Sequence, residues 1–228
     1  MLKQLMILTF LFSITTMGCS QQEGKMAKTK KNGTQSISEY IDTDDYKNYE
    51  VATFAGGCFW CTEAAFERIE GVVDVISGYS GGKTERPTYK QVGGGSTGHA
   101  EAIIIYYNPE VVNYLTLLEV FFVAHDPTTL NRQGPDSGTE YRSAIYYHDD
   151  AQKELAESVI KLIDDSGKLG NPIVTEVAPY SEFWVAEEYH QNYYELNPHQ
   201  PYVNSVSRPK VEKVKKEFAS ILKEKYRK

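Results

Sequence analysis

Two cysteines three residues apart stand in the stretch Ala55-Gly56-Gly57-Cys58-Phe59-Trp60-Cys61. Pairs at this spacing bind zinc, staple loops or do redox chemistry. Two thiols cannot close a tetrahedral zinc site, and the five histidines (His99, His125, His148, His190, His199) show no paired ligand spacing. With three cysteines in all, Cys19 being the third, the chain is no disulfide scaffold. Redox chemistry is the reading that fits best.

The flanking residues say how. Gly56-Gly57 separates an expected strand over 49–54 from an expected helix over 58–68. A thiol at a helix N-terminus meets unpaired N–H groups and the positive end of the macrodipole. Its pKa is then expected below the free value of ~8.5, as a thiolate nucleophile requires. The glycines allow a sharp turn and are expected to leave the sulfur uncovered. Cys61, one turn on, points to the same side, so Cys58 would attack and Cys61 would resolve. Phe59 and Trp60 make an apolar wall unlike the polar or proline-containing spacer of a thioredoxin-like site. Such a wall suits a methyl group and a sulfur atom. Two inert, partly buried cysteines remain the alternative at this point.

The elements that must hold these residues alternate. Strands are expected over 49–54, 71–80, 99–107, 141–147 and 173–177. Helices are expected over 58–68, with Glu63 and Glu67 on its outer side, and over 109–124, 151–163 (capped by Asp149-Asp150), 186–195 and 211–226. Residues 80–98 and 126–140 read as polar loops. The fold class is α+β: a two-layer α/β sandwich, a ferredoxin-like mixed sheet with flanking helices on one face. Gly93-Gly94-Gly95 lies between a loop and a strand, which fails the context of a dinucleotide site. No cofactor or metal is expected.

Residues 1–18 carry Lys3, a short apolar run and Gly18 before Cys19. This is a secretory signal pattern, too short to span a ~30 Å hydrocarbon core. It resembles a bacterial lipoprotein signal, in which Cys19 would be lipidated. The expectation is an exported, membrane-anchored protein facing the periplasm or cell exterior. Residues 19–47 are polar and read as a flexible tether. The folded domain is placed at 48–228, with a C-terminal helical extension and enough chain for one core. A formal net charge of −7 argues against nucleic acid as a partner. A monomer is expected.

GCFW after a short strand, then GHAEA, then QGPDSGTEYRS resembles peptide methionine sulfoxide reductase of the A class, over about residues 49–200. The resemblance implies reduction of methionine S-sulfoxide, free or in proteins. Residue by residue, it makes Cys58 the nucleophile and Glu101 the catalytic carboxylate. It makes Tyr89 and Tyr141 two hydroxyls near the sulfoxide oxygen, and Asp136 an aspartate of the substrate pocket. Phe59 and Trp60 would hold the substrate's methyl group. A sulfoxide oxygen leaves only if protonated, so Glu101 would need a raised pKa. Cys58 would become a sulfenic acid and then a disulfide, reopened by a thioredoxin-like reductant.

Many members carry glycine where Cys61 stands, and recycling cysteines near the C-terminus. Here no cysteine follows Cys61, so the resemblance implies a Cys58–Cys61 disulfide. Many also carry glutamine at the position of Glu140, which alters the local charge. Two other functions compete. One is an extracytoplasmic thiol–disulfide oxidoreductase, which would have no need of Glu101. The other is a peptide-binding lipoprotein with structural cysteines.

Overall fold

A computed structural model describes residues 34–227. The expected signal, Cys19 and the tether up to residue 33 lie outside the described residues. Nine strands are described: β1 (Gln35–Ser36), β2 (Glu50–Gly56), β3 (Val72–Ser80), β4 (Ala100–Tyr107), β5 (Arg132–Gln133), β6 (Asp136–Ser137), β7 (Ser143–Tyr147), β8 (Glu176–Pro179) and β9 (Phe183–Val185). Between and around them run α1 (Ile37–Tyr40), α2 (Thr43–Tyr46), α3 (Phe59–Glu67), α4 (Tyr89–Gly93), α5 (Tyr114–Ala124), α6 (Asp150–Asp165), α7 (Tyr193–Leu196) and α8 (Arg208–Glu217). One mixed sheet has the order β1-β9-β3-β4-β2-β7-β8, and β5-β6 is a small separate hairpin. The pairings in the large sheet are antiparallel except β7 with β8. The α+β class read from the sequence holds.

β4 lies at the centre and is buried along its whole length. Successive side chains alternate between faces, so a strand buried on both reads as a continuous apolar run. Ile103, Ile105 and Tyr107 join the core under α3, α5 and α8, with Phe66, Leu118, Phe121 and Val214. Ile104 and Tyr106 join a second core on the opposite face. The same alternation sends Glu101 to the α3 side. A lone carboxylate at the end of an apolar strand is thereby delivered to the start of α3.

The second face corrects the tether boundary and the one-sided sandwich. Residues 34–47 are folded. Gln35 and Ser36 pair with Val185 and Trp184 at the sheet edge. Ile37, Tyr40, Ile41 and Tyr46 are buried on the second core, and the Tyr46 hydroxyl donates to Asp74 at 2.7 Å. Four large apolar residues in a polar stretch, spaced over two short helices, gave too little periodicity to stand out. At ~1.5–3 kcal/mol per buried side chain as an upper bound, their loss matters. A chain starting at residue 48 should melt well below one starting at residue 34. Equal melting temperatures would show that the segment adds nothing.

Other differences have local causes. Glu63 is buried, because both its oxygens accept from the backbone N–H of Asn192, each at 3.0 Å. The loop over 80–98 contains α4, started by a Thr88–Gln91 capping box. The tyrosine-rich stretch 186–195 is helical in two short pieces, a 3₁₀ turn over Glu188–His190 and α7, and β9 precedes it as a strand the sequence reading missed. The last helix begins earlier than expected, because Pro209 is tolerated in a first turn, and it ends at Glu217. The cap on α6 is as read: Asp149 accepts from the Gln152 N–H at 2.8 Å.

Candidate active site

Cys58 is the N-cap of α3, one residue before the helix starts. Gly57 turns the chain into it with φ +83°, and a Cβ there would stand 2.4 Å from Gln133 Cγ. Gln133 is itself fixed, since its amide bonds the backbone N–H and carbonyl of Asp126. The glycine therefore serves a left-handed turn and a close approach, which brings the loop of the QGPDSG motif against the cysteine turn.

The glycines do not uncover the sulfur: Cys58 is 4% exposed. Burial pushes its thiol up, and the neighbouring Cys61 and Glu101 push the same way; Tyr202, hydrogen-bonded to the sulfur, pulls back. The expected resting thiolate on Cys58 is thus corrected. Desolvation of a buried anion outweighs the helix N-terminus. Cys61 shows the opposite direction. A hydrogen bond from Cys58 lowers its pKa against burial, with Lys210 and Ser207 adding to the lowering. The two thiols are hydrogen-bonded to each other, and both are free in this structure.

Glu101 is 3% exposed, and its Oε2 accepts the Phe59 backbone N–H at 3.1 Å. This uses one of the unpaired donors of the α3 N-terminus. Burial raises the carboxyl to about 8, and Asp136, Cys61 and Glu140 add to the rise against the Phe59 bond. Glu101 therefore carries a proton at neutral pH. A proton donor sits beside a thiol in a site closed to water.

Tyr89 and Tyr141 both face Glu101, Asp136 and Cys58. Burial, then Glu101, raises both phenols, so both are hydrogen-bond donors throughout the working range. Tyr89 opens α4, whose first N–H donates to Glu187 Oε1 at 2.9 Å while Tyr79 donates to Oε2 at 2.8 Å. His99 fixes the same loop. Its Nδ1 accepts from Gly82 N–H at 3.1 Å, so Nε2 donates to the Thr84 carbonyl at 2.8 Å. The histidine of GHAE is a loop clamp with no proton to spare. Tyr141 sits in the 3₁₀ turn Thr139–Tyr141, between the hairpin and β7, and not in a strand.

Asp136 lies on the hairpin, and its Oδ2 accepts a short hydrogen bond from Tyr202. Tyr202 is the residue the sequence reading missed. It bonds both Asp136 and Cys58, and its ring stands edge-on to Trp60 at 5.7 Å. One tyrosine among 17 carries no signal of its own. The aromatic wall is also shared differently. Phe59 is core, packed on Tyr79 and His190. Trp60 is partly exposed, stacks on Tyr193 at 3.7 Å and donates to His190 Nδ1 at 3.1 Å. His190 stays neutral, since burial lowers it to about 4.

Comparison with known proteins places this geometry. A family model described as peptide methionine sulfoxide reductase matches residues 50–222. The chain is similar to peptide methionine sulfoxide reductase MsrA 1 of Rhodopirellula baltica, 52% identical over 82% of this chain and 96% of that one. It is 54% identical to the MsrA of Natronomonas pharaonis, over 74% of this chain and 95% of that one. The solved structure of methionine sulfoxide reductase A of Corynebacterium diphtheriae superposes with a TM-score of 0.61 at 35% identity, covering 68% of this chain and 79% of that one. The buried cysteine, the protonated carboxyl facing it and these likenesses converge: the chain belongs to the peptide methionine sulfoxide reductase family.

Proposed function

We propose that this reductase works through a Cys58 sulfenic acid, a proton held by Glu101 and a Cys58–Cys61 disulfide. Thiol-dependent reduction of methionine sulfoxide is the family's reaction; the assignment of steps to residues is our reading. The observation that carries it is a carboxyl held up to about 8, buried beside the buried Cys58 thiol. A thiol and a carboxylic acid are both neutral, so they tolerate a dry site. Glu101 gives its proton to the sulfoxide oxygen as the Cys58 sulfur attacks the substrate sulfur, and the thiol proton replaces it on Glu101. Tyr89 and Tyr141 donate to the same oxygen and hold it at the acid. Methionine leaves, and the oxygen stays on Cys58 as a sulfenic acid. The substrate methyl lies against Trp60, backed by Phe59, with Asp136 and Tyr202 closing the other side.

Cys61 then displaces the oxygen as water to give the disulfide, which a thioredoxin-like reductant opens. The substrate is the S-epimer of methionine sulfoxide, in proteins or free. Lipidation at Cys19 would anchor a monomer by its N-terminus outside the cytosol, a reading supported by the sequence of residues 1–19 alone. A general thiol–disulfide oxidoreductase fits less well, because it would have no use for the protonated carboxyl of Glu101.

The test is a single turnover without reductant, on the full chain carrying Cys19→Ser. The reading expects one methionine per chain from the S-sulfoxide, loss of both remaining thiols, and no methionine in Cys58→Ser. Methionine formed with Cys61 still free would remove the disulfide. No methionine from a folded chain would end the mechanism.

A further inference from the structure

Lys210 lies in the first turn of α8, and its Nζ is buried with no hydrogen-bond partner among the described residues. An ammonium shut off from water is costly without a facing anion. Two groups with opposing needs feel its charge: His125 and Cys61. His125 cannot serve. Burial lowers it to about 4, and its ring nitrogens are taken by the Phe121 carbonyl at 2.7 Å and Ser143 Oγ at 2.7 Å. Cys61 can serve, as a thiolate.

The backbone before α8 supports that pairing. Val203–Ser207 forms a π-helical turn, and Ser207 ends it. Pro209 has no N–H to continue the regular ladder, so a widened turn here has a local cause. The widening sets Ser207, which is fully buried, with Oγ 3.2 Å from Cys61 Sγ. One four-residue stretch thus supplies a hydroxyl within hydrogen-bond reach of the buried sulfur and a buried ammonium whose charge acts on it. The other groups around that sulfur are Cys58, which hydrogen-bonds it, and Asp136, Glu101 and Tyr202, which add negative or neutral surroundings. Lys210 is a cation whose charge acts on that sulfur.

We propose that the Ser207 hydroxyl and the Lys210 ammonium hold Cys61 as the attacking thiolate of the resolving step. Both are positioning residues that act through Cys61, and the inference rests on the Cys58–Cys61 disulfide proposed above. In that step the Cys61 sulfur forms the S–S bond as the S–O bond of the Cys58 sulfenic acid breaks. The oxygen, which already carries the sulfenic proton, takes one more from Glu101 and leaves as water. The sulfenic sulfur is reduced and the Cys61 sulfur oxidised, so no outside oxidant is needed. After the disulfide forms, Lys210 loses its anion, which favours reduction and return of the thiolate.

The experiment follows one turnover on the full chain with Cys19→Ser, mixed with methionine S-sulfoxide between about pH 5 and pH 9, a range that spans shifted thiol pKa values. Methionine release, sulfenic acid captured by dimedone, and free thiols are read separately. In Lys210→Met, methionine release should precede a disulfide step about tenfold slower near neutral pH, its profile moved up by about one unit. Captured sulfenic acid should rise accordingly. Lys210→Arg should restore the profile, and Ser207→Ala should shift it in the same direction. Circular dichroism checks folding, which Met should not harm because it removes a buried charge. An unshifted profile in Lys210→Met, or equal slowing by Met and Arg without a shift, would overturn the inference alone. Methionine release with Cys61 left free in the parent chain would overturn the disulfide reading, and this inference with it.

Discussion

Glu101→Gln should lower kcat about 10²- to 10⁴-fold, the usual worth of a positioned general acid. The amide keeps the shape and can still face the Phe59 N–H, but it has no proton to give. The pH dependence separates this role from a packing role. Glu101 is protonated below about 8, so parent activity should persist through neutral pH and fall as pH rises through that value. The variant should lose that limb of the profile. The substitution should act on stability in the opposite sense to its effect on activity. The folded pKa lies above the unfolded one, so Glu101 stabilises the fold fully at acid pH, and that contribution is lost as pH rises toward about 8. Gln should therefore be more stable than the parent above that pH, by on the order of a few kcal/mol. Activity and stability profiles that both stay parallel to the parent's would remove Glu101 as the acid.

Cys61→Ser should give the second large effect, and only in the turnover that uses a protein reductant. Methionine should still form once per chain, with Cys58 left as a sulfenic acid. Turnover with a thioredoxin-like protein should then fall by about a thousandfold, the ratio of a millimolar effective concentration for a tethered thiol to a micromolar free one. A small thiol at millimolar concentration should recover most of the rate. Cys61 lies in the first turn of α3 and is 1% exposed, so a serine there keeps the volume and the neighbouring Ser207 contact. On the Lys210 pairing inferred above, the serine leaves a buried ammonium without its facing anion, so the variant should melt below the parent. Undiminished turnover with the protein reductant would mean that the reductant attacks Cys58 directly.

The sequence alone determined what depends on local order. Gly57, Cys58 and Cys61 are neighbours in the chain, so their turn, helix start and shared side followed from spacing. β-Branched and apolar runs gave β3 and β4, and Asp149 gave the start of α6, because strand propensity and capping are short-range effects. Family resemblance added Glu101, Tyr89, Tyr141 and Asp136, which no spacing rule joins to Cys58.

Only the tertiary structure decided how charged these groups are and what surrounds them. Cys58 looked like a helix-end thiolate, yet burial raised it, since desolvation depends on what covers a sulfur and not on its neighbours in sequence. Tyr202, Ser207 and Lys210 lie about 140 to 150 residues beyond Cys58 and Cys61, a closure that only α8 packing on α3 achieves. Residues 34–47 looked like a polar tether because their four buried side chains make no pattern until a sheet face exists for them to cover. A helix end or a strand is written in adjacent residues; a pKa, a wall of aromatics and the partner of a buried ammonium belong to the packed whole.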